Sequence, residues 1–212
     1  MRHKGKQHFS HEHMLIPIEL DEGEEFKCKA CEMPIDDPFY GCPPCKYFLH
    51  AIICYDAPRS TVHPSHPSHP LALTPMPTYP SRSFTCNACG SDGNKGFSLS
   101  CAHCEFDLHL HCAELPGTFF YEREHAHDLK LVFEPSLCRD KTTNDRNIPC
   151  YICNEDQISW LYYCEECKYV VHMKCLYSKY DGKKETNGSD VASVEAGPTH
   201  GDDENVINEI DH

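Results

Sequence analysis

The sequence predicts a row of three small cross-linked modules, each built from short β-hairpins with a short helix after its last ligand pair, followed by an acidic disordered tail. Three observations predict it. The chain of 212 residues carries 16 cysteines and 16 histidines. Leu, Ile, Val and Phe together make up only about 19 % of it, close to the roughly 20 % at which high net charge accompanies disorder. The same Cys/His pattern occurs three times. A single large apolar core is therefore not expected. Chains that cannot bury enough surface are held by disulfides or metals.

The three units align closely. The first reads Cys28-x2-Cys31, then Cys42-x2-Cys45-x4-His50-x3-Cys54. The second reads Cys86-x2-Cys89, then Cys101-x2-Cys104-x4-His109-x2-Cys112. The third reads Cys150-x2-Cys153, then Cys164-x2-Cys167-x4-His172-x2-Cys175. Fifteen of the 16 cysteines are used in this way, and Cys138 is left over. A histidine doublet precedes each unit: His11/His13, His66/His69 and His125/His127. The doublets lead into alternating stretches, LIPIEL, LALTP and LKLVF, which read as short first strands. Tyr40, Leu99 and Tyr162 lie on β-favouring runs into the second Cys pair. Behind that pair, Tyr47 and Leu49, Phe106 and Leu108, and Tyr169 and Val171 are each two apart, on one face of a strand. They are the expected miniature cores. The extra residue between His50 and Cys54 requires a bulged turn.

The start, MRHKGKQHFSHEH, is polar and carries no apolar signal region, and no apolar run approaches the ~18 residues of a membrane helix. The expected location is cytoplasmic, nuclear or both. Thiols there stay reduced, so dense cysteine reads as metal binding. A Cys-x2-Cys turn supplies two corners of a tetrahedron, and zinc takes four N or S ligands at about 2.0–2.3 Å. Eight candidate ligands per unit imply two Zn²⁺ ions each, five or six in all. A Cys3His set on Zn²⁺ carries net charge −1 and a Cys2His2 set is neutral.

The segments HFSHEHML, HPSHPSHPLAL, CEFDLHLHCAELP and CKYVVHMKC resemble the cysteine/histidine-rich C1 zinc module. The closer likeness is to its divergent plant form, the DC1 family, over about residues 8–176. The resemblance implies interleaved ligands, the first Cys pair joining the later His and Cys. Carried over, one site per unit is Cys28, Cys31, His50 and Cys54; Cys86, Cys89, His109 and Cys112; and Cys150, Cys153, His172 and Cys175. The other site combines a leading histidine, the second Cys pair and a downstream ligand. In the first unit these are His13 or His11, Cys42, Cys45, and His63 or His66. In the second they are His69 or His66, Cys101, Cys104 and His125. The third offers His127, Cys164 and Cys167, and is left three-liganded, water-capped or empty, with Cys138 as one candidate fourth ligand. The family closes this site with cysteine, where histidine is used here. The implied domains are 8–63, 64–125 and 126–176.

The net charge of −14 disfavours a general phosphate-backbone binder. No P-loop, Gly-x-Ser-x-Gly or His-Glu-x-x-His motif is present, and closed zinc sites lack the open position catalysis needs, so the chain reads as no enzyme. The resemblance implies a protein-binding adaptor in intracellular signalling. One alternative is a diacylglycerol or lipid sensor, disfavoured because GSDGNKGFSLS and CNEDQIS are polar or acidic. Another is a PHD-like chromatin reader, which would leave the third unit's pattern without purpose. His3, His8, His103, His111 and His212 read as solvated, and Trp160 as local core rather than a membrane-inserting tip. DEGEE at 21–25 reads as a solvated turn. Residues 177–212 hold three lysines against nine acids and read as disordered, with VINEI a candidate docking helix.

Overall fold

The computed structural model describes residues 5–20, 23–36, 38–121, 124–140, 146–156 and 159–181. Part of DEGEE, His3, His212 and the tail beyond 181, including VINEI, lie outside them.

Three antiparallel sheets follow one another along the chain. In the first, Ile16–Ile18 pairs with Phe39–Cys42, which pairs with Tyr47–His50. The second has the order Ser60–His63, His66–Thr74, Ser98–Cys101, Phe106–His109. The third has the order Thr118–Phe120, Asp128–Val132, Leu161–Cys164, Tyr169–His172. The expected strands are all present. Each sheet's last hairpin is closed by the second Cys pair, in the register Cys42↔Tyr47, Cys101↔Phe106 and Cys164↔Tyr169. The residue before the aromatic turns left-handed there: Lys46, Glu105 and Lys168 have φ of 50°, 50° and 54°. A second left-handed residue follows the first Cys pair, namely Glu32, Gly90 and Asn154. Its N–H returns to the carbonyl of the leading cysteine at 2.9, 2.8 and 2.7 Å. Both knuckles are thus backbone-closed turns.

The segment between the last His and Cys is helical. Leu110–Ala113 and Met173–Asp181 are α-helical. The longer spacing in the first unit gives a π-helical turn over Ala51–Tyr55, which absorbs the extra residue and leaves Ile52 75 % exposed.

The sheets draw a strand from before each of the expected boundaries, 63/64 and 125/126, into the following module. Ser60–His63 pairs with His66–Thr74 and so belongs to the second sheet. Thr118–Phe120 belongs to the third.

The modules share one joint, made twice. Phe97 lies four residues before the second module's second Cys pair, and its N–H donates to the carbonyl of Ala30 in the first module at 2.7 Å. Trp160 lies at the same place in the third module and donates to Ala88 of the second at 2.9 Å. Each ring stacks on a histidine of the preceding module, Phe97 on His8 at 6.2 Å and Trp160 on His63 at 5.4 Å. Ala30 and Ala88 are buried, as are both aromatics. The apolar core of the first module consequently runs on through the second to Trp160 and Met173.

Those two histidines are latched alike. Ser65 N–H donates to His63 Nδ1 at 3.1 Å, with Ser65 Oγ at 2.6 Å, and His63 Nε2 meets the Ala113 carbonyl at 3.2 Å. His8 repeats this with Ser10 and the Tyr55 carbonyl, at 2.6 and 3.2 Å. Nδ1 accepts from a backbone N–H, so each ring is a neutral Nε2–H tautomer. Burial holds both rings below the ordinary histidine range. His8 is therefore buried, contrary to the solvated reading, whereas His103 and His111 are exposed as expected. Trp160 is core, but core shared between two modules.

Candidate metal centre

Two four-ligand sets occur in each module. In the first set of the first module, Cys28, Cys31, His50 and Cys54 bring one ligand atom each within 4.8 Å of the others. His50 Nδ1 lies 3.3 Å from Cys31 Sγ and 3.7 Å from Cys54 Sγ. Cys86, Cys89, His109 and Cys112 form the equivalent set, with His109 Nδ1 at 3.4 and 3.8 Å from Cys89 and Cys112. In the third module His172 Nδ1 stands 3.4 Å from Cys153 and 3.8 Å from Cys175, and its N–H points at Cys150 Sγ at 3.4 Å. A tetrahedron with ligand bonds of about 2.0–2.3 Å has edges of about 3.3–3.8 Å, so these separations suit zinc. His50 Nε2 is spent on the Pro34 carbonyl at 2.9 Å, which leaves Nδ1 with its free lone pair toward the sulfurs.

Thiols this close cannot all ionise unaided. Hydrogen bonds from Cys31 and Cys54 hold Cys28 down at about 2. The same contact with Cys28 pushes Cys31 up to about 12 and drives Cys54 higher still. A divalent cation removes that conflict, since all three sulfurs can then be thiolates.

The second sets are His11, His13, Cys42 and Cys45; His66, His69, Cys101 and Cys104; and His125, His127, Cys164 and Cys167. Here the structure corrects the expected pairing. Both histidines of each doublet converge on their own module's second Cys pair, so no downstream ligand is needed. His66 groups with the second module, not the first, and His125 with the third, not the second. His63 has both ring nitrogens engaged, Nδ1 by Ser65 and Nε2 by the Ala113 carbonyl, so it has none left for a metal. The third module's set has four donors rather than three. Cys138 is not among them. It is buried with Leu161 and Val170, and burial pushes its thiol up to about 11.

Within these sets His13, His69 and His127 bring Nδ1 to 3.3, 3.3 and 3.2 Å from Cys45, Cys104 and Cys167. The other member of each doublet lies flat on an aromatic ring, His11 on Tyr47, His66 on Phe106 and His125 on Tyr169, at 4.4, 4.7 and 4.4 Å. The Nε2 atoms of His11, His66 and His125 are buried without a hydrogen-bond partner among the described residues. An orphaned buried nitrogen is costly, and a metal bond would satisfy it. Three repeats of the same orphan, each beside two cysteines, make the donor set fit zinc.

Sequence reasoning missed the ring platforms and the latch histidines. The signal for the latch was present: His-x-Ser-His recurs at 8–11 and 63–66, while Glu122-Arg123-Glu124-His125 stands in the third unit.

The fold and its Cys/His sets define a tandem row of small zinc-binding modules. The family model described as the C1 domain matches residues 9–54, 64–113 and 123–176, more than half of the chain. The chain belongs to that family, as three C1-like repeats in tandem. No curated protein and no solved structure matches it.

Proposed function

We propose that this chain is a non-catalytic adaptor in intracellular signalling, acting in the cytoplasm or nucleus, whose modules are held by six structural Zn²⁺ ions and dock partner proteins. The observation that carries this reading is that each Cys/His set offers four protein donors, which leaves no open coordination position for a substrate. The shared joint supports it, because docked modules present a fixed surface rather than independent beads. So does a cleft of about 710 Å³ where the three modules meet, walled by Ile52, Ile53, Leu115, Met173 and Tyr177. Exposed apolar surface of this kind marks an interaction site.

Proximity labelling in cells with the full chain as bait tests the proposal. A reproducible set of partner proteins is expected, reduced by Ile52→Asp with Ile53→Asp. A labelling profile no different from that of an inert control would overturn it.

A further inference from the structure

The second module differs from its neighbours at two positions on one strand face. At the left-handed turn before the last strand the first and third modules carry Lys46 and Lys168, and the second carries Glu105. Two residues on, the first and third bury Phe48 and Val170, and the second buries Asp107, which is only 4 % exposed. The backbone around this position is unchanged. Lys29, Asn87 and Tyr151 donate their N–H groups to Phe48, Asp107 and Val170 at 2.8 Å in every module. In the second module Asn87 Oδ1 also accepts the Asp107 N–H at 2.8 Å, so Asn87 holds both the N–H and the carbonyl of Asp107.

A carboxylate at an apolar position carries a desolvation cost unless something pairs with it. Here the pairing is half complete. Asp107 Oδ2 accepts from the Tyr79 hydroxyl at 2.6 Å, while Oδ1 has no partner among the described residues. Asp107 lines a polar cleft of about 750 Å³, with Tyr79, Ser81, Ser83, Thr85, Asp92 and Glu105 around it. The hydrogen bond to Asp107, then burial, and last the negative charges of Asp107 and Glu105 push the Tyr79 phenol up to about 12. The cleft is far larger than a bare ion, and one of its carboxylates, Asp92, accepts from the Thr85 hydroxyl at 3.1 Å.

We propose that this cleft of the second module binds a side-chain cation, the guanidinium or ammonium of an Arg/Lys-rich segment of a partner protein, with Asp107 at its base and Asp92 and Glu105 at its rim. The site deepens the adaptor reading and rests on it, naming the chemistry of one partner. Loss of this site alone leaves the adaptor reading intact if other partners are still labelled.

The zinc-loaded full chain tests it, with a fluorescein-labelled peptide carrying three spaced arginines as the probe and its citrulline counterpart as the neutral control. The expected results are saturable binding of the arginine peptide, at least tenfold weaker binding of citrulline, and amide shifts centred on Tyr79, Asn87, Asp92 and Asp107. Asp107→Val, which copies the third module, should weaken binding at least tenfold with zinc content unchanged. Glu105→Lys, an exposed change that copies both neighbours, should do the same and serves where the first variant fails to fold. The proposal is overturned if both variants bind as the parent does. It is equally overturned if Glu24→Gln with Glu25→Gln weakens binding as much, if the shifts fall elsewhere, or if one Ca²⁺ per chain displaces the peptide.

Discussion

The joint between the first and second modules and the joint between the second and third are the same contact with different rings. In each, the backbone N–H of an aromatic residue meets an alanine carbonyl and the ring covers a latched histidine. The first joint adds an aromatic from the upstream side: Phe9 lies 5.6 Å from Phe97, with the Arg59 guanidinium 3.7 Å above it. The second joint adds one from the downstream side, Phe133, 4.6 Å from Trp160 and 5.7 Å from His63. What recurs is the backbone bond, the small residue and the histidine; the surrounding apolar filling is interchangeable. The joint is head-to-tail, a geometry that could repeat indefinitely. Two residues break the repeat. Pro38 stands where Phe97 and Trp160 do, since the Pro38 carbonyl accepts from Ala51 as Trp160 accepts from Met173, and a proline has no N–H to donate. At the other end Ile152 replaces Ala30 and Ala88.

The comparison can be broken at several depths. The largest effect belongs to the metal. Structural zinc supplies roughly 10–16 kcal/mol per ion at neutral pH, so chelation should abolish the β-sheet circular dichroism of all three modules together. Next come the joints themselves. Trp160→Ala should cost roughly 3–5 kcal/mol in denaturant unfolding. Phe97→Ala should cost less, because Phe9 and Arg59 remain on the first joint. Ala88→Val puts a branched side chain where the Trp160 backbone approaches, and overpacking of this kind costs about 1–3 kcal/mol; Ile152→Val, at the equivalent position, where no module docks among the described residues, should be nearly silent. The smallest effect is that of the latch. His63→Gln should cost about 1 kcal/mol at pH 7.5. His63 is held below the ordinary histidine range by burial. Its contribution is therefore complete above the unfolded value of about 6.5 and is lost as pH falls through the lower folded value. The stability gap between parent and His63→Gln should thus close toward pH 5, zinc sites being common to both.

The three modules and their strands were legible because the repeated knuckle spacing marks them, and the Cys3His sets were legible through the likeness to the interleaved C1 module. The bulge after His50 was legible from the spacing. Ligand sharing in the second sets was not. Interleaving suggested a ligand from downstream, and a doublet looks like two options for one position. The geometry uses both histidines, because the first lies back on the ring of Tyr47, Phe106 or Tyr169 while the second reaches the sulfurs by Nδ1. A clue was available in the third unit, where no candidate ligand follows Cys175 until His200 but His125 and His127 were both at hand. The joints were illegible for another reason: they depend on a backbone carbonyl and on alanines, which carry no chemical signature in a sequence. Trp160 was visible as core, but not that two modules would share it.

Native mass spectrometry of the full chain, purified without added metal and then titrated with Zn²⁺, tests most directly the claim that six four-ligand sets hold this fold. The account predicts a dominant species with six zinc ions, falling to five on His125→Ala through loss of an ion from the third module. A compact chain that carries no metal, or a third module that fills only one site in the parent protein, would contradict it.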